Sequence, residues 1–279
     1  MPNLVYLNSK YIPFKDAKIP IEDRGFQFSD SVYEVVKIIN KKILDFDFHM
    51  RRLKYSTSEL NFNFKVNSKL FNKIFQNLII KNKLSNGIIY LQITRGVQSR
   101  EHAYKKNLKP NVVVYTARKK FNLPNKNYRG FKAITYPDIR WGRPDIKTTS
   151  LLANIIAATE ASKKGAYETI LVKGKKITEA SHSNVWIVKG NKIITHPANK
   201  EILKGVTRTV LINIIQSLGF KLIEKEFSLK ELYKSDEVFI TSSGSLVTPI
   251  IQIDSIKINN KKIGKITKTL ALSFYKSII

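Results

Sequence analysis

The stretch that decides the fold class is WGRPDIKTTSLLANIIAATEASKKGAYETILV, residues 141–172. Its first ten residues are mostly polar and include Gly142 and Pro144, which is typical of a loop. Ser150 to Lys164 then has helical spacing and is followed by Gly165, a stop signal. Its apolar residues Leu151, Leu152, Ile155, Ile156 and Ala158 share a broad face. Thr169-Ile-Leu-Val172 is a short, apolar, strand-like run. A helix alternating with strands predicts the α/β (α+β) class.

The same alternation continues on both sides of this stretch. Before it, Asn8-Ser9-Lys10 predicts a hairpin turn, and Leu70, Ile74, Phe75, Leu78 and Ile79 recur at helical spacing. After it, Thr207–Leu218 and Ile263–Lys276 read as helices and Glu237–Thr241 as a buried strand. The polar run Lys119–Arg129 contains Pro124 and three asparagines, as linkers often do. We therefore predict an N-terminal α/β domain over 1–120, a linker over 121–133 and a C-terminal α/β domain over 134–279.

Composition indicates a globular protein. Apolar residues make up 43% of the 279 residues, enough for a buried core. No apolar run reaches the length of a membrane span, and the N-terminus lacks the pattern of a signal peptide. The absence of cysteine excludes disulfides, and four scattered histidines make a catalytic metal unexpected. The expectation is a cytoplasmic protein with no membrane partner and no metal.

The net charge of +28 suggests a nucleic-acid-binding protein at first sight. The basic residues are 39 lysines and 10 arginines, scattered along the chain. Arginine is the residue suited to two-point phosphate or base contacts, so this balance favours compositional drift. A basic nucleic-acid-binding protein is therefore kept as a distant alternative, and weak, salt-sensitive binding to polyanions remains open.

Eight short segments of the chain, each different from the others, form an ordered series of motifs. They are Glu22-Asp-Arg-Gly25 through Lys37, Thr94-Arg95-Gly96, Arg100-Glu101-His102, Trp141 through Ser150, Thr178 through Val185, Thr195 through Asn199, Ile202 through Arg208 and Thr248-Pro249. In this order and spacing they resemble the class IV (fold-type IV) pyridoxal-phosphate aminotransferases, most closely the bacterial D-amino-acid (D-alanine) aminotransferases. The resemblance covers nearly the whole chain. It implies a two-domain fold-type IV architecture, pyridoxal 5′-phosphate as cofactor and a homodimer.

The resemblance assigns the two central roles to Lys147 and Glu179. Lys147 matches the lysine that holds the cofactor aldehyde as a Schiff base and moves a proton once the substrate has displaced it. Glu179 matches the carboxylate that keeps the pyridine nitrogen protonated. Without the matched flanks, Lys147 would read as a surface lysine and Glu179 as a turn residue.

The resemblance also implies residues that hold the cofactor phosphate. Arg52 supplies a charged contact, and the Leu53 that follows it favours Arg52 over the neighbouring Arg51. Val206 and Thr207 follow Gly205 at a predicted helix start, where backbone N–H groups bind anions. Ser243 supplies a further hydroxyl. A plain helix start explains the Gly205-Val206-Thr207 run equally well from sequence alone.

Substrate choice is implied to rest on Tyr33, Arg100 and His102. In the D-amino-acid aminotransferases, a tyrosine and an Arg-x-His pair hold the substrate's α-carboxylate, and the pair comes from the neighbouring subunit. An exposed charged loop is the alternative interpretation of Arg100 and His102. Two positions depart from the family pattern: His182 replaces a serine and Gly244 a threonine, and both are expected near the pocket.

The expected reaction is transamination of D-amino acids, for example D-alanine and 2-oxoglutarate to pyruvate and D-glutamate. A branched-chain L-amino-acid aminotransferase and an aminodeoxychorismate lyase are the alternatives within the family. The Arg-x-His pair argues against both, because these enzymes hold the carboxylate differently. The sequence leaves open the preferred side chain and the pathway served.

Overall fold

The computed structural model describes residues 4–278. The chain divides into two compact units. The first, unit 1, extends to Lys120 and also contains Ile146–Ser150. Unit 2 consists of Phe121–Asp145 and of the chain from Leu151 onward. The two units are defined by which residues pack together and do not test the predicted domain boundaries. The boundaries of 1–120, 121–133 and 134–279 therefore stay a prediction.

Unit 1 is built on a six-stranded antiparallel sheet with the order β2-β1-β6-β5-β3-β4. The hairpin expected at Asn8-Ser9-Lys10 is present, since β1 pairs with β2 there. The elements in chain order are β1 (Leu4–Leu7), β2 (Lys10–Pro13), a 3-10 turn (Phe14–Asp16), α1 (Arg24–Phe28), β3 (Ser31–Ile39), β4 (Lys42–Ile43), α2 (Phe46–Glu59), α3 (Ser68–Lys81), β5 (Gly87–Thr94) and β6 (Asn111–Arg118).

The core of unit 1 lies between this sheet and the helices α2 and α3. Asn67 is the N-cap of helix α3, and its side chain accepts a hydrogen bond from Leu70 N at 3.0 Å. It buries Phe71, Ile74, Phe75, Leu78 and Ile79, the i, i+3, i+4, i+7, i+8 spacing of an amphipathic helix. Leu70 belongs to the apolar set that the periodicity predicts, but Leu70 is 46% exposed and Phe71 takes the buried position. The helix is therefore rotated slightly from the predicted face.

Unit 2 is built on a mixed sheet with the order β12-β11-β10-β14-β15-β7-β8-β9-β13, in which β16 also pairs with β15. Its pairs are antiparallel except β11/β12, β15/β7 and β7/β8, which are parallel. The elements are β7 (Phe131–Pro137), α4 (Leu152–Lys163), β8 (Glu168–Lys173), β9 (Lys176–Ala180), β10 (Asn184–Lys189), β11 (Lys192–Thr195), α5 (Val206–Ser217), β12 (Lys221–Glu224), β13 (Phe227–Ser228), α6 (Leu229–Tyr233), β14 (Glu237–Ser242), β15 (Leu246–Ile253), β16 (Ile256–Lys257), a 3-10 turn (Asn259–Lys261) and α7 (Lys265–Lys276).

Two helices of unit 2 show how the predicted segments fold. Helix α5 begins at Val206, one residue before the predicted start, and Gly219 follows it with a φ of +73°. Helix α4 lies within the predicted Ser150–Lys164 but buries Ala157 and Ala161. Its larger apolar residues, Leu152, Ile155 and Ile156, are 73%, 58% and 39% exposed. Small residues thus face the core of unit 2, and the broad apolar face of α4 is turned outward.

Ile146–Ser150 forms an additional edge beside the start of β3. Thr148 makes an antiparallel bridge with Val32, and Thr149 N donates to Ser31 O at 3.2 Å. The short segment therefore extends the sheet of unit 1, although the residues before and after it belong to unit 2. Among residues 4–278, no helix is both long and apolar enough to cross a membrane.

Candidate active site

Lys147 lies on this edge directly opposite Tyr33. Its carbonyl accepts a hydrogen bond from Tyr33 N at 3.0 Å, and its own N–H donates to Ser56 Oγ of α2 at 3.1 Å. Opposed residues of antiparallel strands present their side chains on the same face. Accordingly, Lys147 Nζ lies 4.0 Å from the centroid of the Tyr33 ring. The structure thus brings together two residues that the sequence analysis selected separately, in a half-buried position.

Arg52 on α2 is fixed by a carboxylate that the sequence analysis did not select. Arg52 Nε donates to Glu34 Oε1 at 2.8 Å and Arg52 Nη2 to Glu34 Oε2 at 2.7 Å, a two-point ion pair. His49 Nδ1 lies 2.6 Å from Glu34 Oε2. Burial opposes ionisation of Glu34, but Arg52 and His49 outweigh it and lower the pKa of Glu34 from 4.5 to about 2. Arg51 is exposed and lies over the Phe48 ring, so Arg52 is the arginine in the buried cluster.

Arg100 and His102 lie in an exposed loop of unit 1. Both flank Phe28: the Arg100 guanidinium is 5.1 Å from the ring centroid and the His102 ring 5.5 Å. Arg24 anchors the loop by donating to the carbonyls of Glu101 and His102, at 2.7 and 2.9 Å. Within residues 4–278, no hydrogen bond, ion pair or ring contact joins either side chain to Tyr33. The three proposed carboxylate-binding residues are therefore not assembled by contacts within one chain.

Glu179 is the buried acid of unit 2, at the end of β9. Its Oε1 accepts hydrogen bonds from Arg140 Nη1 and from Leu203 N, the latter at 3.1 Å. Its Oε2 accepts one from Asn184 Nδ2 at 3.0 Å. Burial raises the pKa of Glu179 from 4.5 to about 7, while Arg140 and the Leu203 N–H oppose that rise. The carboxyl group is thus held rigidly in a site where it can share a proton near neutrality.

Arg140 connects Glu179 to the chain around it. It pairs with Asp138 through Nε at 2.9 Å and Nη2 at 2.7 Å, and Nη2 also donates to Glu201 O at 3.1 Å. Thr178 Oγ1 donates to Asp138 at 2.7 Å from the other side. Asp138 and Arg140 follow directly after β7, and Thr178 and Glu179 lie on β9, so sheet topology brings the two acids and the arginine together.

Apart from Arg52 on α2, the residues assigned to the phosphate lie at two turns of unit 2. Val206 and Thr207 form the buried first turn of α5. Gly205 precedes them as the N-cap, and no side chain among the described residues caps this helix. Ser243 and Gly244 lie in the turn between β14 and β15 and are half-buried.

His182, which departs from the family pattern, contacts a buried acid. Its side chain is 54% exposed, and its Nδ1 lies 3.0 Å from Glu168 Oε2. Glu168 also accepts hydrogen bonds from Ser181 Oγ, from Ser183 Oγ at 3.0 Å and from Thr169 N at 2.8 Å. Burial works against the ionised form, but His182, the Ser181 hydroxyl and the Thr169 N–H lower the pKa of Glu168. His182 thus covers Glu168 at the turn between Glu179 and Asn184.

Glu34 and Arg140 are supporting residues that were not predicted from the sequence. A signal for Glu34 was present, because a glutamate within the apolar run Val32–Ile39 requires a buried partner. Arg140 carried no comparable signal, since it stands in a polar loop and its partners come from a distant strand.

A family model confirms the resemblance. The model for amino-transferase class IV matches residues 31–253. The D-alanine aminotransferase of Listeria innocua serovar 6a (strain ATCC BAA-680 / CLIP 11262) is 36% identical over 277 residues, 99% of this chain and 96% of that protein. The D-alanine aminotransferase of Staphylococcus aureus (strain MSSA476) is 34% identical over 98% of this chain and 97% of that protein. The chain belongs to the class IV aminotransferases, which are pyridoxal-phosphate-dependent transaminases.

Solved structures confirm the predicted fold class. The branched-chain amino acid aminotransferase of Escherichia coli superposes with a TM-score of 0.91 at 22% identity, covering 99% of this chain and 94% of that chain. A similar enzyme from Thermobaculum terrenum, solved in its PLP form, has a TM-score of 0.89 at 21% identity, covering 99% of this chain and 94% of that chain. At these identities the likeness establishes the mixed α/β, two-sheet fold.

The residues present fit pyridoxal phosphate in two respects. Among residues 4–278, Glu179 Oε2 accepts a single hydrogen bond, from Asn184. A carboxylate oxygen has two lone pairs, so Oε2 keeps one for the N–H of a protonated ring. The start of α5 lacks a side-chain cap, and a helix N-terminus favours an anion such as a phosphate.

Proposed function

We propose that this transaminase acts on D-amino acids, with D-alanine and 2-oxoglutarate giving pyruvate and D-glutamate. The observation that carries the proposal is the placement of the Lys147 amine against the Tyr33 ring, at 4.0 Å, by backbone pairing that depends on neither side chain. Full-length similarity to D-alanine aminotransferases supports the choice of substrate. The Arg-x-His spacing of Arg100 and His102 also supports this choice of substrate.

Pyridoxal phosphate is the proposed cofactor, and the chain has separate residues for its aldehyde, its ring nitrogen and its phosphate. Lys147 is the lysine for its aldehyde, and Glu179 is the carboxylate for its ring nitrogen. Val206 and Thr207, at the start of α5, are the donors for its phosphate, together with Arg52 and Ser243. When bound, the cofactor supplies a carbonyl for the substrate amine and a protonated ring that withdraws electrons from the substrate Cα.

Lys147 is the proposed proton carrier of the reaction. Its Nζ takes the proton from the substrate Cα and returns it to the carbon that receives the amino group. The Lys147 amine must therefore stay within reach of both carbon atoms. Two backbone hydrogen bonds fix the lysine main chain, to Tyr33 and Ser56. Such anchoring lets the side chain move while its origin stays in place.

The substrate α-carboxylate is proposed to bind to Tyr33, Arg100 and His102. A guanidinium fork and an imidazole donor suit a carboxylate, and the tyrosine hydroxyl adds a neutral donor. Since no contact within one chain joins Arg100 or His102 to Tyr33, we propose that the pair comes from the neighbouring subunit. Holding the carboxylate on a given side decides which Cα–H faces Lys147 and so selects the D-enantiomer.

A homodimer is the proposed assembly, and the exposed face of α4 supports it. Leu152, Ile155 and Ile156 are all at least 39% exposed on one helix, and Ile139 and Trp141 of unit 2 are 55% and 41% exposed. Large apolar side chains concentrated on one element are typical of a protein interface. The same surface on two copies can form a two-fold contact.

Borohydride trapping tests the cofactor part of the proposal. Protein saturated with pyridoxal phosphate and then reduced should carry one covalent adduct, which peptide mass spectrometry locates at Lys147. Lys147→Ala should lose the adduct, while Lys200→Ala, at an exposed lysine, should keep it. An adduct at another lysine, or none, would refute the role of Lys147.

Single half-reactions test the choice of substrate. The protein with bound cofactor is mixed with D-alanine, L-leucine or L-glutamate, and the change in cofactor absorbance is followed. Reaction with D-alanine and none with the two L-acids is the expected result. Reaction with L-leucine instead would establish the branched-chain alternative and overturn D-specificity, although the transaminase activity itself would stand.

A further inference from the structure

Three side chains of unit 2 converge away from the residues assigned to the reaction: His196, Glu201 and Glu226. One ligand atom of each, the imidazole nitrogen or a carboxylate oxygen, lies within 4.8 Å of the other two. His196 follows β11 and Glu226 follows the neighbouring β12. These strands are parallel and end in register at Thr195 and Glu224. Their carboxyl ends therefore place the histidine and one glutamate side by side, and the loop before α5 supplies the other.

The hydrogen bonding of His196 leaves its second ring nitrogen without a partner. Its Nδ1 lies 2.9 Å from Pro197 O. A carbonyl only accepts, so Nδ1 carries the proton and Nε2 of the neutral ring presents a lone pair. Nε2 is buried and has no hydrogen-bond partner among residues 4–278. It lies 3.5 Å from Glu201 Oε2, so in the neutral ring a lone pair faces a carboxylate oxygen.

Such an arrangement is repulsive unless a proton on Nε2 or a metal cation lies between the two groups. From this geometry we propose that His196, Glu201 and Glu226 bind a divalent metal ion of the zinc type. One imidazole nitrogen and two carboxylate oxygens are three of the four ligands such an ion takes, and water can supply the fourth. The imidazole argues against Mg²⁺ and Ca²⁺, which select oxygen ligands.

Two lysines lie beside the three proposed ligands, and each pairs with one of the two glutamates. Lys173 Nζ lies 2.9 Å from Glu201 Oε1, and Lys176 pairs with Glu226. The Glu201 oxygen that faces His196 is Oε2, so Lys173 engages the opposite oxygen. Both lysine side chains are more than 60% exposed, and exposed ion pairs contribute little to stability, so the lysines can move aside at little cost.

The metal site lies on the same loop that holds Glu179. Between His196 and α5, Glu201 O accepts a hydrogen bond from Arg140 and Leu203 N donates to Glu179 Oε1. An ion bound to Glu201 and to the end of β12 would tie this loop to the sheet. Its role is therefore structural: it stiffens the segment that positions the Glu179 carboxylate and takes no part in the chemistry.

Zinc binding to the full-length, metal-stripped protein tests the proposal. Calorimetric titration with Zn²⁺ should show one bound ion per chain and a rise in the thermal unfolding temperature. X-ray absorption should find one imidazole nitrogen and oxygen neighbours with no sulfur. The double variant E201Q/E226Q should lose this ion, and because both glutamates are partly exposed it should fold even where a change at His196 does not.

The variant Glu160→Gln is the matched control, since it removes an exposed, lysine-paired glutamate on α4 and should bind zinc normally. Equal zinc binding by the double variant and the unchanged protein would overturn the proposal, as would the absence of binding to the unchanged protein. In the second case, the imidazolium form of His196 would be the partner of Glu201. Neither result depends on the substrate of the transaminase.

Discussion

Glu34 determines how Arg52 is oriented. Its carboxylate has no exposed surface and binds the guanidinium at two points, so the direction of the arginine is set by β3. The Arg52 side chain is 9% exposed. An arginine held in this way loses little conformational entropy when it binds a phosphate, which is the advantage of a preorganised contact.

The variant Glu34→Gln should lose stability in a pH-dependent manner. The pKa of Glu34 is about 2 when folded and 4.5 as the ordinary value, so its stabilisation is present above pH 4.5 and is lost as the pH falls towards 2. At neutral pH the difference is on the order of 3 kcal/mol, from about 1.4 kcal/mol per pKa unit. Urea unfolding of the variant and the unchanged protein at several pH values measures it.

The difference between the two proteins should shrink as the solution is acidified below pH 4.5. Glu160→Gln, which removes a carboxylate from an exposed pair, serves as the control and should change the unfolding free energy little at any pH. A constant difference between Glu34→Gln and the unchanged protein from neutral to acidic pH would contradict the assigned ionisation of Glu34.

At the scale of elements, the start of α5 depends on Gly205. A Cβ at this position would lie 2.1 Å from Asn184 Oδ1. The Asn184 amide cannot move freely, because its Nδ2 donates to Glu179 Oε2 at 3.0 Å and to Leu203 O at 2.9 Å. Glycine is required here for close approach and not for its backbone freedom, since its φ of −62° suits any residue.

Gly205→Ala should therefore reduce the unfolding free energy by roughly 1–3 kcal/mol, the usual cost of overpacking. It should also weaken retention of pyridoxal phosphate, because Asn184 would shift together with Glu179. Gly142→Ala is the control, as no atom lies within 4 Å of its added Cβ. The double variant G205A/N184A lacks the clash. Its loss of unfolding free energy should therefore be smaller than the sum of the losses of the two single variants. Strict additivity would show that Asn184 is not the obstacle.

The sequence could select those residues of the candidate site that lie in contiguous motifs. Lys147 and Glu179 each stand in a recognisable block, and α5 was placed within one residue because Gly205 and Gly219 mark its ends. The same reasoning could not find Arg140 beside Glu179 or Glu226 beside His196. These neighbours meet only through the strand order of the sheet, and a single sequence with local periodicity does not specify which strands become adjacent.

The face of α4 illustrates a second limit. Its apolar residues are present as expected, but periodicity alone does not show which side of a helix packs against the core of its own chain. Ala157 and Ala161 gave no amphipathic signal, and they are the residues that α4 buries.

At the scale of the whole molecule, hybrid dimers test whether Arg100 acts across subunits. The variants Lys147→Ala and Arg100→Ala should each be nearly inactive with D-alanine. After unfolding and refolding together, half of the randomly formed dimers are hybrids, and each hybrid has one site with both residues intact. The mixture should recover about a quarter of the unchanged activity, as measured by pyruvate formation.

The control mixes Lys147→Ala with Lys147→Arg, which share the same defect and should recover nothing. If Arg100 served the Lys147 of its own chain, every site in the hybrid would lack one of the two residues. The mixture would then stay inactive, and the proposal of a site completed by the neighbouring subunit would fail.

The pairing of Ile146–Ser150 with the sheet of unit 1 affects how the chain can fold during its synthesis. Ser31 and the Thr149 with which it bonds are 118 residues apart, so at about 5–20 residues per second the ribosome needs roughly 6–24 s to make the second after the first. Throughout that interval the nascent chain exposes an unpaired stretch of β3 at Tyr33. The surface that receives Lys147 is thus completed only after more than half of the polypeptide has been translated, and a pause or truncation before residue 150 would release a chain with an open sheet edge.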